Sequence, residues 1–294
     1  MKGRKRRTRD TRNGYLFISP WIIGFIIFTA YPIFAAIRYS FCEYSVLQPP
    51  RFVGIDNYRI LFTQDSLFGK SLYNTIYYTI FVVLLGIIIA LLLAVLLNQD
   101  LKGKGIFRTI FYLPVVVPIV ASSMIWLWIL NPQYGLLNAL LFKIGIVGPG
   151  WVASEKWSKP AIIIMSLWGA GGTVIIFLAG LQGIPRQLYE AAEIDGANKW
   201  VKFSRITIPL LTPTILFNLI IGFIGSSQVF VPAFIMTDGG PLNSTLFYVL
   251  YLYRNAFNYF KMGYASAMAM IMFVTIAALT LVLILTSSRW VHYE

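Results

Sequence analysis

The side chains that most often carry chemistry are nearly missing from this sequence. Its 294 residues include one histidine, His292, and one cysteine, Cys42. A tetrahedral zinc site or a Ser–His–acid relay needs such groups inside the fold, whereas His292 stands near the end of the chain. A lone cysteine excludes an internal disulfide. No metal site and no catalytic residue is expected. An integral membrane enzyme would need a clustered acid, base or nucleophile, and none is visible. Gly69-Lys70-Ser71 has the ending of a phosphate-binding loop, but the first glycine of that motif would fall on Gln64. The most informative polar stretch is 183–213, which carries Glu190, Glu193 and Asp195 between two apolar runs.

The elements around these residues follow from composition. The chain is 58% hydrophobic and 12% charged, against about 25% charged in a soluble domain, so its solvent must be lipid. Six runs hold no Asp, Glu, Lys or Arg: 13–37, 71–99, 109–142, 160–185, 206–237 and 262–288. A helix crosses the hydrocarbon with about 20 apolar residues, and these runs lack the alternation of barrel strands. The expected fold is therefore all-α and polytopic. A basic tail, 1–14, precedes a membrane domain, 15–294, with helices at about 15–37, 73–97, 109–130, 160–182, 210–235 and 264–288. The first run is too long for a cleaved signal and reads as a retained anchor.

Orientation follows from Lys and Arg. With a cytoplasmic N-terminus, the inside segments hold 15 basic residues in 47 positions and the outside segments 9 in 74, as bilayer-crossing chains require. Both termini are then cytoplasmic. The net charge of +13 is accounted for by topology, and no nucleic-acid partner is expected. The six runs hold no ionisable acid or base apart from tyrosine. Ion-coupled carriers usually place such groups at membrane depth, although backbone carbonyls can hold sodium. An ion-coupled secondary carrier stays as the alternative, but energy supplied by another polypeptide fits better.

Local signals shape the 183–213 stretch into a helical hairpin. Pro185 suits a first helical turn. Leu188, Ala191 and Ala192 follow at helical spacing, and Gly196 can take positive φ and end the helix. A second short helix fits 198–206, closed by Pro209, with Pro213 opening the fifth crossing. An interfacial helix on lipid would favour bases over Glu190 and Glu193, so a protein partner is expected.

These residues resemble a known family. Glu190-Ala191-Ala192, then Gly196, Ile206 and Pro209 match the "EAA" loop of ABC-importer permeases at every spacing, with Ile208 where leucine is usual. Thr237-Asp238-Gly239-Gly240-Pro241, Asn243-Ser244-Thr245, Tyr251, Tyr253 and Ala256-Phe257 resemble the outer loop of permeases for oligosaccharides and related polyols. Asp195-Gly196-Ala197, Trp200, Phe107-Arg108, Leu113-Pro114 and Pro118 agree with the same group. The resemblance runs from about Tyr15 to the C-terminus, in the six-helix form.

The resemblance implies a type I importer permease (MetI-like) fold in a bacterial or archaeal cytoplasmic membrane. It implies a second homologous permease subunit, different from this one as a hetero-pair, two ABC ATPase subunits that hold the ATP and Mg, and an extracytoplasmic sugar-binding protein; this chain itself would bind no cofactor. The loop 183–209 would couple to the ATPase through Glu190, Ala191, Ala192, Asp195 and Gly196, although Ala191 and Ala192 alone could express helix propensity. Asp238, Gly239, Gly240 and Pro241 would face the binding protein. A sugar path needs polar groups and aromatic faces. Asn218, Gly222 and Ser226 share a helix face at i, i+4, i+8, with Ser227 and Gln228 adjoining, and Trp168 stands near Gly172. Trp126 and Trp128 fit interfacial anchors better. Val115 and Ile119 stand where relatives place polar pocket residues, which implies a pocket mostly on the partner subunit.

Overall fold

The computed structural model describes residues 2–99 and 103–292, with side chains from Gly14 onward. The basic side chains of the tail therefore lie outside the described residues. The chain forms two compact units, Met1–Gln64 with Leu252–Phe273, and Asp65–Tyr251 with Val274–Glu294.

Most of the described chain is helical, as its apolar runs require. Three helical stretches are long and apolar enough to cross a membrane alone: Gly14–Ser40, Ser66–Leu97 and Met262–Ser287. Three further stretches are bent pairs, giving six crossings if each pair spans once: Lys104–Val116 with Ile119–Ile129 at 101°, Ser158–Trp168 with Gly171–Gly183 at 48°, and Lys199–Leu210 with Thr212–Ser227 at 62°. The bends mark a difference from straight crossings. The sharpest falls at Val117 and Pro118, whose extended ψ values of 125° and 138° interrupt the helix. Proline lacks the donor and disfavours helix in the preceding residue.

In the first unit the opening helix runs from Lys2–Phe25 through a wide π-turn, Ile26–Ala30, into Tyr31–Ser40. Most of its described side chains are exposed, as a lipid-facing anchor requires. A short antiparallel hairpin, Cys42–Ser45 with Gln48–Phe52, follows in the register Cys42↔Phe52; the all-α expectation did not contain it. Asn57 fixes the junction by donating to the Ser40 and Cys42 carbonyls at 2.9 Å each.

The second unit is organised on the 32-residue Ser66–Leu97 helix, about 48 Å long at 1.5 Å per residue. Asp65 caps it, accepting from the Leu67 and Phe68 amides at 2.9 and 3.0 Å. The other Asp65 oxygen accepts from the Tyr251 hydroxyl at 2.7 Å. Toward its far end, fully buried Ala90 and Ala94 adjoin Phe177, Leu181 and Leu211 in the core. Small residues at such positions let helix backbones approach closely in lipid. Gly171 is such a case between two helices, because a Cβ there would sit 2.2 Å from the Phe111 carbonyl oxygen.

Candidate functional site

Three features are strung along the Ser66–Leu97 helix: a polar loop at its first turns, a cavity at its middle and the 183–213 hairpin at its end. The hairpin begins with Arg186–Ile194, whose N-cap is Pro185. Gly196 takes φ +76°. The Gly196 amide donates to the Glu193 carbonyl at 3.0 Å and the Ala197 amide to the Ala192 carbonyl at 2.8 Å. This paired termination needs a left-handed residue, and glycine fills it without a Cβ penalty. Asn198 caps the return arm by accepting from the Val201 amide at 2.9 Å.

The return arm departs from expectation. Pro209 does not close it; the helix continues from Lys199–Lys202 through a π-turn, Phe203–Thr207, into Ile208–Leu210. Proline in a helix removes a donor and its ring meets the carbonyl four residues back. In the π-turn the Ile208 amide bonds five residues back, to Phe203, which widens the backbone just before Pro209. Pro32 stands in the same relation to its own π-turn, where the Tyr31 amide reaches Ile26.

Two side-chain contacts tie the hairpin arms together. Tyr189 Oη lies 2.9 Å from Thr207 Oγ1, and Lys202 Nζ lies 2.5 Å from Glu193 Oε1. The hydrogen bond from Lys202, then its positive charge, holds the Glu193 carboxyl below the usual carboxylate range. A depressed folded pKa adds stability above the ordinary value and loses it as pH falls through the folded one. The difference in hairpin amide exchange between the parent and Lys202→Met is therefore expected at neutral pH and closes as pH drops below the carboxylate range. Glu190 differs from Glu193: it is exposed, and among the described residues no ion pair holds it. Ala191 is exposed beside it and Ala192 half-buried, with Leu188 and Trp200 at 44% and 72% exposure. Among the described residues the hairpin thus offers two carboxylates held by no ion pair, Glu190 and the exposed Asp195, among small and apolar side chains.

Along the middle of the long helix lies a cavity of about 540 Å³, within the roughly 300–1,000 Å³ of small-ligand sites. Asn218, Gly222, Ser226 and Gln228 all line it. Trp168, Gly172 and Ser227 do not. Trp168 ends its helix and packs edge-on against Trp126, with ring centroids 6.0 Å apart. Ser227 is turned a step round the helix from Ser226, and Gly172 has open space where a Cβ would stand. The space at this bend is instead lined by Gly169, Ala170 and Thr173.

Sequence reasoning missed Tyr78 and Ser166, which also line the cavity and meet at 2.7 Å between hydroxyl oxygens. Both are polar side chains inside apolar runs, the signal that identified Asn218. The side-chain amides have spent one donor each: Asn218 Nδ2 donates to the Thr214 carbonyl at 2.8 Å and Gln228 Nε2 to the Ile224 carbonyl at 3.0 Å. A carbonyl partner fixes the amide orientation and leaves Asn218 Oδ1 and Gln228 Oε1 as acceptors. Ser226 likewise donates to the Gly222 carbonyl at 2.6 Å. Such a cavity suits a ligand that brings O–H donors and apolar C–H faces.

The loop after Met236 is held by the first turns of the same helix. Asp238, Leu242 and Asn243 have φ of 42°, 50° and 58°, and Gly239 of 76°. Non-glycine residues in this region cost about 1–3 kcal/mol each and persist only where the surroundings fix them. Here Asn74 Nδ2 donates to the carbonyls of Asn243 and Leu246 at 2.9 and 3.2 Å. Lys70 Nζ donates to the Leu242 carbonyl at 2.6 Å, and Ser158 and Ser244 hydroxyls meet at 2.8 Å. Lys159 Nζ donates to Asn74 Oδ1 at 3.0 Å. Of the four residues expected to face a partner, Asp238 is exposed, Gly240 and Pro241 half-buried and Gly239 buried. Gly239 serves the turn, its carbonyl accepting from the Thr245 amide. Asn74→Ala leaves two carbonyls without their donor, at about 1–3 kcal/mol each. It is expected to lower the melting temperature and speed amide exchange at 242–247 while leaving exchange at the hairpin unchanged.

Residues 69–293 match the family described as "Binding-protein-dependent transport system inner membrane component". The chain belongs to this family. It is therefore a multi-pass membrane permease, a transport subunit, and an ion-coupled carrier is not favoured. The permease is 44% identical to the probable ABC transporter permease protein YesP of Bacillus subtilis (strain 168), over 100% of this chain and 96% of that one. It is 36% identical to the lactose transport system permease protein LacF of Rhizobium radiobacter, over 91% of each chain. It is 34% identical to the trehalose/maltose transport system permease protein MalF of Thermococcus litoralis, over 95% and 94%. Among solved structures, a chain of a bacterial alginate ABC transporter in complex with alginate pentasaccharide-bound periplasmic protein superimposes with a TM-score of 0.85 at 27% identity, covering 97% and 96% of the two chains.

Proposed function

We propose that this permease is a transmembrane subunit of an ATP-binding-cassette importer that moves a sugar, in the class of oligosaccharides and related polyols, by alternating access. The observation that carries this reading is the geometry on one helix: a mainly apolar cavity with a few side-chain acceptors lies between an exposed hairpin at one end and a polar loop at the other. Relatives named for lactose and trehalose/maltose transport support the sugar class, and the O–H-seeking cavity agrees with it.

In this reading the termini and hairpin are cytoplasmic, in the inner membrane of a bacterium or archaeon. Two ATPase subunits bind ATP and Mg below the hairpin, and this chain binds neither. A second, homologous permease completes the path, and an extracytoplasmic binding protein delivers the sugar. ATP binding favours one orientation of the helices and hydrolysis restores the other. A ligand shifts such an equilibrium only by its differential affinity for the two states, so the hairpin must bind the ATPase differently in each. Affinity purification from the native membrane tests the assembly, followed by a sugar panel on the co-purified binding protein. Recovery of an ATPase, a second permease and a sugar-selective binding protein is expected. Uptake by this chain alone under a proton or sodium gradient would overturn the reading.

A further inference from the structure

The residue just beyond the expected partner-facing quartet is the unusual one. Leu242 is 73% exposed at φ +50°. A single exposed leucine needs no explanation, and a left-handed asparagine or glycine is common in turns. A bulky apolar side chain in that conformation is not, because its Cβ crowds the backbone while exposure withholds any packing gain. The fold nonetheless holds it there: Lys70 Nζ grips the Leu242 carbonyl at 2.6 Å and Asn74 Nδ2 the next one at 2.9 Å. Ser244, Thr245, Leu246 and Phe247 are buried immediately behind it, so the tip projects from a fixed base. An outlier kept by its surroundings points to use outside the chain.

We infer that Leu242 is a preformed apolar anchor for the extracytoplasmic binding protein; this rests on the importer reading above. The density of Lys and Arg puts 238–261 on the outer side, the side from which a binding protein approaches. The rigid base also favours that occupant, since an anchor with little freedom left to lose binds at lower entropic cost. Lipid contact would need no such fixed projection. Asp238, Gly239, Gly240 and Pro241 then build and flank the turn, and Leu242 makes the contact.

The test uses the assembled transporter in nanodiscs, with its cognate binding protein titrated against ATPase activity. Leu242→Ala is expected to raise the half-saturating concentration of binding protein about tenfold, the scale of a truncated interface anchor, with Leu242→Met restoring it. Leu242→Asn keeps the backbone conformation and removes the apolar surface, and should match Leu242→Ala. Leu242→Gly should weaken the response similarly while melting at or above the parent temperature, because it relieves the left-handed strain. A parent-like half-saturation in both Leu242→Ala and Leu242→Asn overturns the anchor and leaves the importer standing. A parental complex whose ATPase ignores binding protein altogether overturns both.

Discussion

Glu190→Lys is expected to abolish sugar uptake and substrate-stimulated ATP hydrolysis in the assembled transporter, while the protein still reaches the membrane. Glu190 and Glu193 lie on one nine-residue helix, yet only Glu193 is held by a neighbour, Lys202. Glu190 is exposed and free to meet a basic group on another protein. Losing one member of a desolvated charge pair costs about 2–5 kcal/mol, about 30- to 4,000-fold in binding, and reversal adds repulsion. The hairpin itself should survive, because its Gly196 termination and its Tyr189–Thr207 contact do not involve the Glu190 side chain. Glu190→Gln should fall between the two. Undiminished stimulated ATPase activity in the Glu190→Lys complex would count decisively against coupling through this residue.

A large loss of stability is expected at Gly171 when a side chain is added. A methyl carbon there would meet the Phe111 carbonyl oxygen at 2.2 Å and the Tyr112 Cα at 3.1 Å. Both are backbone atoms and cannot swing aside, so two helices must part. Overpacking a dense interior costs about 1–3 kcal/mol, and a backbone clash lies at or above the upper end. Gly171→Ala should lose most of its monodisperse fraction in detergent, and Gly171→Val nearly all. Gly172→Ala is the internal control, since nothing lies within 4 Å of its added carbon. Equal melting temperatures for Gly171→Ala and the parent protein would refute the close contact.

The contrast between these neighbouring glycines shows what a sequence can and cannot reveal here. Lipid forbids unpaired charge over a span, so six uncharged runs were legible as membrane segments. The size of their bends was not, because Pro118 marks a break in the sequence while the 101° angle there depends on how the flanking helices pack. The face shared by Asn218, Gly222 and Ser226 follows from helical periodicity alone, and all three line one cavity. Trp168 stands outside that cavity because an aromatic ring goes where a neighbour receives it, and Trp126 does so. Gly196 was readable as a helix terminator since its role is local. The grip of Asn74 on the Asn243 carbonyl joins residues 169 positions apart, and no local rule reaches that far.

The wide turns ahead of Pro32 and Pro209 have a consequence for how the chain tolerates changes in length. A π-turn contains one residue more than ordinary winding of the same helix. Deleting one residue from Phe203–Thr207 would return the arm to regular α geometry and keep its flanking faces in phase. The Pro209 ring would then strike the carbonyl one turn earlier. Extra residue and imino acid form a matched pair, so a shortened arm should fold only when Pro209 is replaced as well.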